Sequence, residues 1–447
     1  MTANQRALSR KQKIIKTLSV ASYAKLVGVL VSFAVVPLAI NYLGVEQYGL
    51  WVTVSSLIAL LSFVDGGAGN ALVNMVSHAT GNGTEKHIKA IVSSGFFVLL
   101  LMAVIGVVVF FFVYDLVPWM WVLGLSGANS NPEDVALLVL IIGLAFFVGM
   151  PCSAAGNIQR GFQEGNIEAF WSAKGRLLSL LFVYIAIEMD FGLTGFAFAF
   201  VLGPIIASLS NTVYYFTVKK KRVSPSLFCL NVNDVKGVLS TGSLFFVLQI
   251  TSAIQTQGDN IIIANLLGPS SVSQYAICMQ LFMVVPMLMG LLWAPLWPAY
   301  REALASGDAK WVRRVFLKSL KLAFFAGLSS AILLVLFGQK AIQLWVGDEL
   351  IPSVLLLVGC GLWMLLLVVG SATAMLLNAF QMVKTQIIVA GCAGFLNIAL
   401  SIWLIKNIGL EGAVYGSIIS YLVCAVIPYS FLIPSLLRRY SMETKTT

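Results

Sequence analysis

The chain has 447 residues, of which 59% are hydrophobic and only 10% charged, with a mean hydropathy of +0.93 and a formal net charge of +10. Such a composition marks an integral membrane protein. At about 20 apolar residues per crossing, twelve spanning helices with short connections use nearly the whole length and exclude a soluble catalytic domain.

The chain opens on Arg6, Arg10, Lys11, Lys13 and Lys16, followed by an apolar run from Leu18. That run is too long for a secretory signal and is interrupted by Lys25, so it reads as an uncleaved first helix. Apolar runs broken by Gly, Pro, Asn or charge predict spans near 18–43, 48–76, 88–114, 135–159, 168–188 and 193–217, then 238–266, 271–300, 312–337, 353–380, 383–406 and 411–436. With the N-terminus in the cytoplasm, 25 of the 28 Lys and Arg residues fall on the cytoplasmic side. Only Lys340 and Lys406 lie outside, Lys25 being within a span, whereas nine of the 18 acids face outward. The positive charge therefore follows from topology and anionic lipid, and gives no reason to expect nucleic acid.

Three short segments recur in order. Leu43-Gly44 with Tyr48 matches Leu267-Gly268 with Tyr275, Gly161-Phe162-Gln163 matches Ala379-Phe380-Gln381, and Gly192-Leu193-x-Gly195 matches Gly409-Leu410-x-Gly412. The glycine-anchored offsets, 217 to 224 residues, predict two six-helix bundles of like orientation. The expected division is a cytoplasmic segment 1–17, an N-terminal bundle 18–218, a cytoplasmic amphipathic linker 219–237, a C-terminal bundle 238–437 and a cytoplasmic tail 438–447. In the linker, Lys-Lys-Lys-Arg precedes Leu227, Phe228, Leu230, Val232 and Val235, which suits a segment lying on lipid headgroups; a solvated tether is the alternative.

The most unusual stretch is Leu248–Asn265 in the seventh span. Gln249, Ser252, Thr256 and Asp259 share one helical face, flanked by Gln255 and Asn260, and that face is too polar for lipid. An Asp at mid-membrane costs roughly 2.5–3.5 kcal/mol on insertion scales and marks a pathway or binding site, unless it only hydrogen-bonds helices together. Lys25 and Asp65 fall in the cytoplasmic third of the first two spans, where they can pair; alternatively Lys25 snorkels to the interface. A pair would show as non-additive effects of Lys25→Ala and Asp65→Ala. Gly66-Gly67-Ala68-Gly69-Asn70, followed by Asn74, permits a bend or a close backbone approach. Arg160, Lys174, Arg176 and Arg301 sit at inner helix ends, where with Lys25 they can make a vestibule suited to phosphate, or simply obey the positive-inside rule. Prolines 37, 151, 204, 286, 295 and 428 interrupt spans, and Trp51, Trp119, Trp121 and Trp345 are expected in interfacial belts. The six cysteines are widely spaced, the two histidines form no HExxH pattern, and there is no GxxxxGK[ST], so disulfides, zinc chemistry and nucleotide hydrolysis are not implied.

Asn41-Tyr-Leu-Gly-Val-Glu-Gln-Tyr-Gly-Leu-Trp51, running into Leu61-Ser-Phe-Val-Asp65 and Gly69-Asn70, resembles the start of O-antigen-type polysaccharide flippases, within the multidrug/oligosaccharidyl-lipid/polysaccharide (MOP) exporter superfamily. The resemblance implies an all-α polytopic protein, twelve helices in two six-helix bundles around a central cavity, like the multidrug exporters of that superfamily. It implies transport of an undecaprenyl-diphosphate-linked oligosaccharide across the bacterial inner membrane, N- and C-termini cytoplasmic, other polysaccharide-assembly proteins as partners, and no cofactor beyond coupling H+ or Na+. The matching substrate-binding candidates are Lys25, Arg176, Asn70, Asn74, Gln249 and Arg301, with Asp65 and Asp259 for ion coupling or gating. Peptidoglycan-precursor flippases of the superfamily differ in resembling fourteen-helix proteins. A cation-coupled multidrug exporter shares the twelve-helix plan and is the alternative. A membrane sugar polymerase or acyltransferase is disfavoured because the longest outer loop, residues 115–134, holds no His, Cys, Lys or Arg.

Overall fold

A computed structural model of the chain describes residues 3–82, 84–123, 131–293 and 296–446, and these are helical almost throughout. In order the helices are α1 (Ala3–Leu60), α2 (Ala68–Asn82), α3 (Glu85–Tyr114), the short α4 (Trp119–Val122), α5 (Pro132–Gly161), α6 (Gly165–Glu188) and α7 (Gly192–Tyr214). There follow α8 (Val232–Leu267), α9 (Pro269–Trp293), α10 (Leu296–Ala305), α11 (Ala309–Val346), α12 (Val354–Ala379), α13 (Val383–Ile408), α14 (Glu411–Tyr421) and α15 (Ile427–Thr446). Ten segments of the described residues are long and apolar enough to cross a membrane. Helices suit that setting because each backbone N–H and C=O is satisfied inside its own segment. Their outward faces carry large apolar side chains such as Phe112, Leu336 and Phe395, which hydrocarbon accepts.

The first of the ten, Ser19–Asp65, has 47 residues. At about 1.5 Å per residue it is twice the length of one crossing. Gly44, at φ 80° and ψ 170°, breaks α1 where the sequence places the turn between the first two spans. The second expected span, 48–76, is itself interrupted: a short 3-10 segment, Leu61–Asp65, ends at Gly66 and Gly67, both at positive φ, before α2 begins. Within the expected span 271–300, α9 and α10 lie on either side of residues 294 and 295, which are outside the described residues. Between α14 and α15, Leu422–Val426 widens into a π turn.

Contacts group the chain into two compact units, Met1–Gln47 with Val54–Ala253, and Tyr48–Thr53 with Ile254–Thr447. Both α1 and α8 therefore contribute to each. Within the first unit, Gly203 and Gly175 let α6 and α7 touch backbone to backbone. The linker is held there as well: Ser226 N–H donates to Ser93 Oγ (3.0 Å), Asn231 N–H to Ser94 Oγ (3.2 Å), and Lys220 lies 3.7 Å from Glu164. Among the basic residues of the linker, Lys219, Lys221 and Arg222 are exposed, beside exposed Leu227 and Phe228.

The internal repeat has a backbone counterpart. Gln163 and Gln381 stand at φ 59° and 58° after helix ends of the same hydrogen-bonding pattern, with Phe162 N–H to Ile158 O and Phe380 N–H to Leu376 O. Gly44 and Gly268 (φ 80° and 87°), and Gly192 and Gly409 (φ 65° and 77°), complete three matched pairs of left-handed turns. A side chain in that conformation costs roughly 1–2 kcal/mol, so glycine is favoured there. Gln163 is exposed, so Gln163→Gly is expected to be at least as stable as the parent, and the β-branched Gln163→Val less stable by about 1–2 kcal/mol. Thermal unfolding of the two variants in detergent checks this ordering.

Candidate functional site

Asp259 is one of two buried charged side chains among the described residues, 8% exposed like Asp234 at the start of the same helix. Four side chains from three other helices converge on its carboxylate. Tyr275 of α9 and Ser417 of α14 donate hydroxyls to Oδ2 at 3.0 and 2.9 Å. Asn397 and Ser401, one turn apart on α13, donate to Oδ1 at 3.1 and 3.4 Å. Ser401 and Ser417 also reach Asn397 Oδ1, at 3.0 and 3.2 Å, and Ser401 lies 3.3 Å from Ala413 O. Packing fixes this geometry. Gly412 and Gly416 form a GxxxG step on α14 where an added Cβ would overlap the α13 backbone at Leu404, Ile405 and Ser401, so the two helices approach closely enough for Ser401 and Ser417 to share acceptors.

No basic side chain lies within ion-pair distance of Asp259 among the described residues. A buried carboxylate held only by neutral donors retains a large desolvation penalty, which a proton or a metal cation relieves. Two serine hydroxyl protons must serve Asp259, Asn397 Oδ1 and Ala413 O, so oxygen acceptors outnumber hydroxyl protons. An oxygen-rich pocket of this kind suits a small hard cation. The face predicted around Asp259 is described only in part. The side chains of Ser252, Gln255 and Thr256 lie outside the described ones, while Gln249 is half-buried with its Oε1 unpartnered among the described residues.

Two expected cations lie on α1 and α6 of the other unit. Arg176 of α6 lies across Gly28 of α1: a Cβ at position 28 would overlap the guanidinium and sit 2.7 Å from its Cζ. Lys25 precedes Gly28 by one turn on the same helical face. Both cations are exposed, and neither is paired with a carboxylate among the described residues. Nearby on α2, Asn70, Asn74, Ser77 and His78 form an exposed polar stripe, opposite the buried Ala71, Leu72, Val76 and Ala79.

Two expectations change, the Lys25–Asp65 pair and the belt position of Trp51, and Arg301 gains a partner. Lys25 and Asp65 form no ion pair; Asp65 accepts Gly67 N–H (2.9 Å) and Gly69 N–H (3.3 Å), capping the start of α2, where its charge faces the positive end of the helix. Arg301, proposed for substrate, donates to Ala379 O at 3.0 Å, at the C-terminal end of α12. With the Gln381 amide turned, its oxygen also accepts from that guanidinium at 2.7 and 3.2 Å. Trp51, expected in an interfacial belt, is instead buried against Tyr48, ring centroids 5.6 Å apart. The partners of Asp259 and the gap at Gly28 were not anticipated, since isolated Ser, Asn and Gly residues read as ordinary packing. Because Asp65 and Lys25 form no ion pair, Lys25→Ala and Asp65→Ala are expected to add within about 0.5 kcal/mol in a double-mutant cycle on stability. Gly28→Ala should displace the Arg176 guanidinium with little loss of stability in thermal unfolding, since the obstructing atoms are the end of a flexible side chain.

Comparison with known proteins agrees with this arrangement. The chain is 23% identical over 387 residues to the "Putative O-antigen transporter" of Salmonella typhi, covering 86% of this chain and 87% of that protein. It is 21% identical to the "Putative O-antigen export protein" of Yersinia pseudotuberculosis, over 91% and 93% of the two chains. Its fold matches an inward-facing multidrug-resistance MATE transporter of the MOP superfamily, with a TM-score of 0.74, 16% identity, and 94% and 99% coverage. It also matches the lipid II flippase MurJ in an inward closed conformation, with a TM-score of 0.75, 15% identity, and 96% and 90% coverage. The profile of the family described as "Polysaccharide biosynthesis protein" matches residues 14–302, and the chain therefore belongs to that family, one of multi-pass membrane transporters rather than enzymes.

Proposed function

We propose that this protein flips an undecaprenyl-diphosphate-linked oligosaccharide, an O-antigen or related polysaccharide repeat unit, from the cytoplasmic to the periplasmic leaflet of a bacterial inner membrane by cation-coupled alternating access. The observation that carries the reading is the Arg176 guanidinium lying across Gly28, one turn along α1 from Lys25, with neither cation paired with a carboxylate among the described residues. A diphosphate needs concentrated positive charge and the planar guanidinium of an arginine, whereas a cationic drug needs acids. The names of the O-antigen relatives support the same substrate class.

In this mechanism Lys25 and Arg176 hold the diphosphate, and the polar stripe of Asn70 and Asn74, with Gln249, hydrogen-bonds the sugars along a hydrated passage between six-helix halves. Those halves are 18–218 and 238–437. Twelve crossings follow if the break at Gly44 divides Ser19–Asp65 into two and α8 adds another to the ten apolar segments. The lysine and arginine distribution sets both termini in the cytoplasm. Asp259 binds the coupling ion, H+ or Na+. Occupancy removes the penalty of its buried charge and so favours the state in which Tyr275, Asn397, Ser401 and Ser417 close around it. Partner proteins of polysaccharide assembly would supply and consume the lipid-linked unit.

Reconstitution into vesicles with a lipid-diphosphate oligosaccharide, scoring leaflet exposure with and without an imposed proton or sodium gradient, tests the reading. Asp259→Asn fits the same shell, because the amide can donate to the Ser417 and Tyr275 hydroxyl oxygens while its carbonyl accepts from Asn397. The variant is expected to insert and fold yet lose gradient-driven transport. Lys25→Ala with Arg176→Ala should abolish flipping even under a gradient. Efflux of cationic drugs without lipid flipping would instead identify a multidrug exporter.

A further inference from the structure

The second unit contains a cavity of about 770 Å³ that is separate from the shell of Asp259. It lies between α11, α12 and α15. Along α11 its lining runs from Ala309 to Phe324, fifteen residues and so about 22 Å of helix, comparable with one leaflet including its headgroups. Its walls are almost wholly apolar. Its charged lining among the described residues is Lys310 and Arg313 in the opening turns of α11 and Arg438 in the last span, with no carboxylate among the described lining residues. Of the hydroxyls in the wall, Thr373 and Ser430 are engaged by their own helices, with Val369 O and Ile427 O, and Tyr421 and Tyr429 add two phenols.

The shape is maintained rather than accidental. On α12, Gly370 leaves room for the Tyr421 hydroxyl, which any side chain there would displace. On the opposite wall, the π turn Leu422–Val426 shifts the register of α15 just before its lining residues. The result is a deep hydrocarbon slot opening beneath a cluster of three cations. A soluble anion would gain nothing from the slot, and a neutral lipid nothing from the cations.

We propose that this slot is a binding site for a single anionic phospholipid, its phosphate on Lys310, Arg313 and Arg438 and an acyl chain lying along α11 between α12 and α15. The bound lipid fills a void between three helices that otherwise touch through the core around Phe316, Leu376 and Ile433. It ties the start of α11 to the end of the chain. The site does not depend on which substrate the protein carries, and its test uses no transport assay.

Native mass spectrometry of the full-length, delipidated protein in detergent, titrated with phosphatidylglycerol or phosphatidylcholine of equal chain length, tests the assignment. The parent is expected to retain one phosphatidylglycerol and to discriminate against phosphatidylcholine. Lys310→Ala with Arg313→Ala should weaken that binding by at least tenfold, at about fivefold per cation. Ser430→Trp, which places an indole in the slot from an exposed helix position without altering charge, should weaken both lipids alike. Circular dichroism and monodisperse gel filtration verify that each variant is folded. The proposal is overturned if the double alanine variant and Ser430→Trp both bind phosphatidylglycerol as the parent does. It is equally overturned if polyprenyl diphosphate at the same concentration displaces the phospholipid, which would give the slot to the transported lipid.

Discussion

A carboxylate enclosed by helices in a membrane protein must be satisfied from within, and in this chain Asp259 is satisfied by hydroxyls and one amide, with no basic residue in ion-pair reach among the described residues. Much else in the second unit follows from that choice. Neutral donors reduce the penalty of the charge without cancelling it, so the shell remains responsive to a cation in a way that a pre-formed salt bridge would not. The donors reach Asp259 only because α13 and α14 pack at glycine contact, and α9 enters beside them through Tyr275. Removing the glycines would separate the hydroxyls before it weakened any single hydrogen bond.

The first unit uses charge in the opposite sense. Lys25 and Arg176 are exposed and lack carboxylate partners among the described residues, while Asp65 is fixed on the backbone N–H groups of Gly67 and Gly69. Capping holds the acid at the start of α2 and leaves the two cations unneutralised. The close approach of Gly242 to the carbonyl of Gly66 explains why this turn tolerates no side chain on the facing helix either. The two exposed cations and the buried carboxylate shell are thus on different helices, α1 and α6 for the former and α8, α9, α13 and α14 for the latter.

Most of the helical plan was legible in the sequence because hydrocarbon imposes a strong rule: long apolar runs must be helices, and breaks must occur where glycine or a polar residue can turn the chain. The three repeated segments were legible for the same reason. Each marks a left-handed turn, and Gly44, Gly268, Gly192 and Gly409 carry the conformation that composition alone cannot show. The interrupted second span was harder to read, since Leu61–Asp65 is as apolar as its neighbours and only the Gly66-Gly67 pair signals the break.

The recognisable motif, Asn41 to Trp51, turns out to serve architecture. Tyr42 donates to Asp190 Oδ1 at 2.9 Å and accepts Gly192 N–H at 2.7 Å, bridging two loops; Gly44 turns the chain; Gly49 meets the carbonyl of Pro269; and Trp51 is buried. Motif strength therefore located the family but not the chemistry. The groups that bear charge were visible as residues, yet their partners were not, because a single serine on α13 or α14 is indistinguishable in sequence from a packing residue. What separates the two is distance across helices: Ser401 and Ser417 are sixteen positions apart in the chain and reach the same carboxylate. Their meeting depends on the Gly412–Gly416 step, so in this fold the spacing of small residues on one helix carries as much information about the site as the charged residue on another.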